Sequence, residues 1–153
     1  MWPVLDLKEY LSGQWRLNRV LLDRRNSIRG KLTGEASFCP EGSSLSYTER
    51  GTLVFGSHEG PAEQSYSYLF PAGHANALVA FRDGRTFHDL DLSNGCAVVR
   101  HCCTPDLYEG LIVAIDRRRW RSTWAVTGPH KDLEIRTLFT RCCNRAAASR
   151  DYP

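Results

Sequence analysis

At 153 residues, with 42% hydrophobic and 24% charged residues, the chain is long enough for one domain with a real core and has an ordinary globular composition. A net charge of +3, with basic runs only at Arg24-Arg25 and Arg117–Arg121, argues against nucleic acid as a partner. No stretch approaches the roughly 18 apolar residues of a membrane span, and Pro3, Asp6, Lys8 and Glu9 interrupt any signal-peptide core.

From the N-terminus, Leu5 to Leu11 reads as a short helix with Leu7 and Leu11 on one side, ended by Ser12-Gly13. Gln14 to Leu22 is a long strand that puts Trp15, Leu17, Arg19 and Leu21 on one face. Asp23 to Asn26 is a polar break. Glu35 to Phe38 is a short strand closed by Pro40-Glu41-Gly42. Leu45 to Phe55 alternates Leu45, Tyr47 and Glu49 against Ser46, Thr48 and Arg50, with Gly51 as a bulge or bend. Glu63 to Phe70 groups Tyr66, Tyr68 and Phe70.

Ala77 to Phe81 and Arg85 to Leu92 flank Asp83-Gly84, a hairpin signal, and His88, Leu90 and Leu92 share a face. Asn94-Gly95 is a second such turn into Cys96 to Cys102, where Ala97, Val99 and His101 line up. Leu107 to Ile115 follows Thr104-Pro105-Asp106.

The last hairpin has the clearest period. Trp120, Ser122, Trp124 and Val126 face one way and Arg119, Arg121 and Thr123 the other. Gly128-Pro129 turns the chain, and Leu133, Ile135, Thr137, Phe139 and Arg141 resume the inner face. A hairpin this apolar on one side needs a sheet that curls over it. The expected fold is therefore all-β: a closed antiparallel barrel of about eight to ten strands with a short N-terminal helix, spanning residues 1–143 as one domain. Residues 144–153 carry no pattern and are expected to form a flexible tail.

The six cysteines are Cys39, Cys96, Cys102, Cys103, Cys142 and Cys143. Four of them form adjacent pairs, whose side chains on a strand point to opposite faces, so free thiols and a cytoplasmic setting are expected.

Two features coincide with a known pattern. Gly13-Gln14-Trp15 after a helical turn, with Arg141 near the end of the last strand, resembles the lipocalin (calycin) arrangement. That resemblance implies a Trp at the closed end of the barrel with the Arg packed across its ring. The further motifs are D-G-R-x-F-H (Asp83 to His88), W-x-V-x-G-P-x-K-D (Trp124 to Asp132), W-x-L-x-R (Trp15 to Arg19) and L-x-Y-x-E (Leu45 to Glu49). A fifth segment, His101-Cys102 with Asp106 and Tyr108, is one residue longer than the pattern. Together these are similar to an uncharacterised lipocalin-like family known as a domain of unknown function, and the similarity implies a fold but no activity.

If Trp15 and Trp124 face inward, alternation sends Arg19, Tyr47, Glu49, Tyr66, Tyr68, His88, His101, Tyr108 and Trp120 with them. A core built only for packing would prefer Leu, Ile and Val; rings with sparse polar groups suit a ligand pocket. Each aromatic taken singly is more often core filling, and each histidine a hydrogen-bonded structural residue. Arg19 and Glu49 either pair with each other or leave Arg19 to hold a carboxylate or phosphate. The expected partner is a small hydrophobic or aromatic molecule, one with an anionic group included.

The alternatives are an enzyme using His88 and His101 as acid and base, and an interaction module with a filled barrel whose strand around Arg117–Arg121 meets a partner. His101-Cys102-Cys103 points its side chains alternately away, which disfavours zinc. The polar lining disfavours haem on His88 or His101. No cofactor is assigned. The loop Gly128 to Asp132 reads either as a rim contact or, the favoured reading, as a turn with a solvated Lys131–Asp132 pair.

Overall fold

In the computed structural model, which describes residues 1–143, the chain opens with α1 (Leu7–Leu11). The Asp6 carboxylate caps it by accepting from the Glu9 backbone N–H at 2.9 Å. Ser12 ends it, its hydroxyl donating to the Lys8 carbonyl at 2.6 Å. Leu7 and Leu11, one turn apart, are fully buried, so this short helix is held by packing rather than by its own length.

Ten strands follow: β1 (Gly13–Asp23), β2 (Ile28–Glu41), β3 (Ser44–Phe55), β4 (His58–Leu69), β5 (Asn76–Phe81), β6 (Thr86–Asp91), β7 (Cys96–Cys103), β8 (Asp106–Asp116), β9 (Arg119–Thr127) and β10 (Asp132–Arg141). They form one antiparallel sheet in the order β6-β5-β4-β3-β2-β1-β10-β9-β8-β7. Pairing of the first strand with the last (Trp15 opposite Arg141, Arg19 opposite Thr137) wraps the sheet into a barrel. The faces follow the expected alternation: Leu17, Leu45, Tyr47, Leu90, Val99, Trp120, Val126 and Phe139 are all buried, while Val98 is 85% exposed.

Closure is incomplete. Asn94-Gly95 does not join a hydrogen-bonded hairpin; β6 and β7 are the two edges of the sheet, and a seam separates their ladders. At the helix end the N-terminal residues strap across it, Trp2 N–H donating to the Ala114 carbonyl at 2.8 Å and Val4 N–H to the Leu92 carbonyl at 2.9 Å. At the other end the seam is filled by rings: His101 of β7 packs against Phe81 at 5.6 Å and Phe87 at 5.2 Å. Side chains stand where a ladder would otherwise shield the edges.

Two local expectations need correction. β2 is 14 residues long, not the short run Glu35 to Phe38. Its early half carries Gly30 and Gly34, which add no apolar side chain to the alternation. Gly51 is not a bulge either: β2 and β3 pair without a shift, with Gly34 opposite Gly51. A Cβ on Gly34 would meet the Arg50 carbonyl and the Gly51 Cα, so the two glycines let the backbones cross closely.

All six thiols are unpaired. Among the described residues no helix is long and apolar enough to cross a membrane.

Candidate functional site

The base of the barrel is sealed. Trp15 is fully buried and its Nε1–H donates to the Leu11 carbonyl at 2.8 Å, tying β1 to α1. The Arg141 guanidinium lies 4.2 Å from the centre of the Trp15 ring system. It donates to the Ser12 carbonyl at 2.8 Å and to that of Tyr10. The strand-one Trp and last-strand Arg thus occupy the places that the calycin resemblance implies. Above them Trp120 stacks on Phe139 at 3.7 Å and meets Trp15 edge-on at 6.2 Å. Trp120 Nε1 is the one fully buried side-chain polar atom among the described residues with no hydrogen-bond partner.

Above this floor is a cavity of about 330 Å³. Its inner residues Tyr47, Glu49, Trp120 and Thr137 are buried, whereas Leu21, Leu53, Ala62 and Ile135 are half-buried, so it opens away from α1. Of the residues singled out in the sequence, Arg19, Tyr47, Glu49, Tyr66, Tyr68, His88, Tyr108, Trp120 and Trp124 line it. His101 does not; it belongs to the seam, 6.0 Å from Tyr108 by ring centres.

The polar centre of the wall is already paired. Arg19 Nη1 and Nη2 reach Glu49 at 2.6 and 2.9 Å, and Arg19 Nε donates to Thr137 Oγ1 at 2.8 Å. The Tyr47 hydroxyl donates to the same carboxylate. This bidentate geometry is the strong form of the pair, and it leaves the interior without net charge. The tyrosines stay protonated: burial, reinforced by the Glu49 charge, pushes Tyr66 up to about 12, and burial also raises Tyr47 and Tyr68.

His88 is 94% buried by its 6% exposure, and its Nδ1 is 2.8 Å from the Asp89 carbonyl oxygen. A carbonyl only accepts, so in the neutral ring Nδ1 carries the hydrogen and Nε2 is an acceptor. Nε2 has no hydrogen-bond partner among the described residues. Burial lowers the pKa of His88 below 6.5, outweighing the raising influence of the Asp89 carbonyl and carboxylate; the His101 charge lowers it further. Because the unfolded chain then binds the proton first, stability is whole above pH 6.5 and falls as pH drops through that value toward the folded pKa. Denaturation between about pH 7.5 and 5.5 should therefore show a steeper loss in wild type than in His88→Gln. Parallel profiles would contradict this.

Phe87 is a lining residue that alternation missed. Its neighbour His88 faces inward, so period two sends Phe87 out. Instead the β5–β6 pairing shifts register, Val79 opposite His88 but Ala80 opposite Thr86, and the bulge turns Phe87 into the cavity as well. The only hint in sequence is the large apolar side chain at a position read as outward. The Gly128 to Asp132 loop is indeed a turn, but Lys131 pairs with Asp106 at 2.9 Å and Asp132 with Arg24 at 3.6 Å, not with each other. No group of three or more His, Cys, Asp or Glu is placed to hold a metal among the described residues.

The model of a family described as one of unknown function (DUF6314) matches residues 11–141. Among solved structures, the S-type phycobiliprotein lyase CPES from Guillardia theta is similar over 90% of this chain and 92% of its own, with a TM-score of 0.65 and 8% identity. A protein of unknown function from the DUF3598 family of Nostoc punctiforme is similar over 92% of this chain, with a TM-score of 0.63 and 12% identity; the match covers 51% of that longer chain. At such identities the likeness carries the barrel alone. No curated protein matches the chain.

Proposed function

The chain belongs to this DUF6314 family of unknown function, so its role has to be read from its own cavity, and we propose that it is a small-molecule-binding barrel for a compact aromatic ligand. The observation that carries this is the cavity of about 330 Å³ left open among tyrosine, tryptophan and phenylalanine rings. A barrel that only had to be stable would fill such a space with larger apolar side chains, which bury more area and make more packing contacts. Aromatic walls with a few fixed polar groups suit a small planar molecule.

The paired centre narrows the ligand. An anionic head on Arg19 would have to displace Glu49, which already holds both terminal nitrogens. An uncharged ligand needs no such exchange. Likeness to a phycobiliprotein lyase fits a barrel that handles a small molecule.

Turnover by two cavity histidines is the weaker reading, because His88 lines the cavity and His101 sits in the seam. The filled-barrel interaction module is weaker still, given the open volume. Its basic strand is engaged locally: Arg119 pairs with Asp116 at 2.8 Å, and Arg117 lies over Trp2 at 5.3 Å.

Native mass spectrometry of freshly isolated protein should show one small molecule that leaves on denaturation. Ser122→Phe, which puts a ring into the buried middle of the wall, should be isolated without it. A wild type that carries nothing, and whose tryptophan fluorescence ignores a panel of planar aromatics, would defeat the proposal.

A further inference from the structure

Three rings stack in parallel at the seam side of the cavity. Phe87 is the middle one, 5.6 Å from Tyr66 with planes 5° apart and 5.2 Å from Trp124 with planes 19° apart. The outer two are fixed. Trp124 lies against β8 at Gly110, where any Cβ would run into the indole. Tyr66 stacks on Tyr47 at 5.9 Å, and its hydroxyl accepts from the Gln64 amide.

The middle ring is held by side-chain packing rather than by the ladder. Phe87 is the extra residue of the bulge, left out of the β5–β6 register, and it sits on an edge strand with no ladder on its other side. Moving it disturbs side-chain packing in the seam and little of the backbone pairing. Beside the stack stands His88, edge-on to Phe87 at 4.8 Å and tilted against Trp124 at 5.4 Å, with Nε2 unpartnered.

We infer that the cavity takes an uncharged planar aromatic molecule bearing an N–H or O–H donor, its ring in the place of Phe87 between Tyr66 and Trp124 and its donor on His88 Nε2. Phe87 yields toward the seam between β6 and β7 as the ligand enters, and His101 and Phe81, which pack on it at 5.2 and 4.9 Å, shift with it. This rests on the ligand-binding reading above and names the class of ligand. Stacking selects for flatness but not for identity, since any ring of similar size satisfies it. The imidazole supplies the choice: a ligand without a donor leaves Nε2 desolvated and unpaired, which costs about tenfold or more in affinity. Phe87 acts as an internal competitor, and the observed affinity is reduced by the fraction of molecules in which its ring fills the slot.

The sign of one mutation separates this from a plain wall contact. Binding of β-naphthol and of its methyl ether, which differ in the donor, is followed by titration calorimetry. Wild type should prefer the naphthol about tenfold. Phe87→Ala should bind the naphthol roughly tenfold more tightly than wild type, because the competitor is gone. If that variant does not fold, Phe87→Leu shortens the ring and should shift affinity the same way. His88→Leu should bind both probes alike, and His88→Gln, whose amide oxygen still accepts, should keep part of the preference.

A folded Phe87 variant that binds the naphthol more weakly overturns the inference, as does a wild type that treats the two probes equally. If neither probe binds while a small molecule is still extracted from the isolated protein, the ring slot is wrong and the binding barrel stands. If nothing is extracted either, both fall.

Discussion

Arg19→Met is expected to remove about 3–5 kcal/mol of folding stability, read from the midpoint and slope of a chemical denaturation curve. The substitution leaves the Glu49 carboxylate, whose side chain is 5% exposed, without its two guanidinium hydrogen bonds. The Tyr47 hydroxyl alone does not compensate a buried charge. The pair itself adds far less than this loss suggests, because both ions gave up hydration to reach the barrel interior. Arg19→Met combined with Glu49→Leu should therefore stand within about 1–2 kcal/mol of wild type, and the coupling in the double-mutant cycle should be large. A single Arg19→Met variant as stable as wild type would mean that water reaches Glu49, and the uncharged-ligand argument would fail with it.

Trp15→Ala is expected to cost about 3–5 kcal/mol, enough to consume much of the 5–15 kcal/mol by which a domain of this size is stable. Three contacts go at once. The fully buried indole leaves a void beside Trp120, α1 loses the Nε1–H donor to Leu11, and Arg141 loses the ring it covers. Arg141→Lys should cost less, about 1–2 kcal/mol, since an ammonium keeps the charge but cannot lie flat on an indole while donating to the Ser12 and Tyr10 carbonyls. Thermal unfolding of both variants checks the order. If Arg141→Lys proved the more damaging, the base of the barrel would be held by Arg141 hydrogen bonds rather than by burial of Trp15.

These sites were unevenly legible before the fold was known. Trp15, Arg19, Glu49, Trp120 and Trp124 could be placed on inner faces because a strand has a period of two, and one well-placed residue orients its whole strand. Phe87 could not. Its orientation comes from a slip between β5 and β6, and a slip belongs to two strands at once. The length of β2 was hidden for a related reason: Gly34 adds no side chain to the alternation, and only when β3 is laid against it is it the place where two backbones need room. His101 was oriented correctly on its strand, yet β7 turned out to be an edge, which put the imidazole in the seam and not on the cavity wall.

By itself the sequence determined an all-β chain with a short leading helix and the two faces of most strands, which are written in local alternation and spacing, while the Trp15–Arg141 clasp followed only from the calycin resemblance. Only the tertiary structure decided that β6 and β7 do not pair, that Phe87 turns inward between Tyr66 and Trp124, and that Glu49 neutralises Arg19. The reason is physical: alternation acts between neighbours in the chain, whereas register, closure and charge pairing depend on which distant segments come to lie side by side.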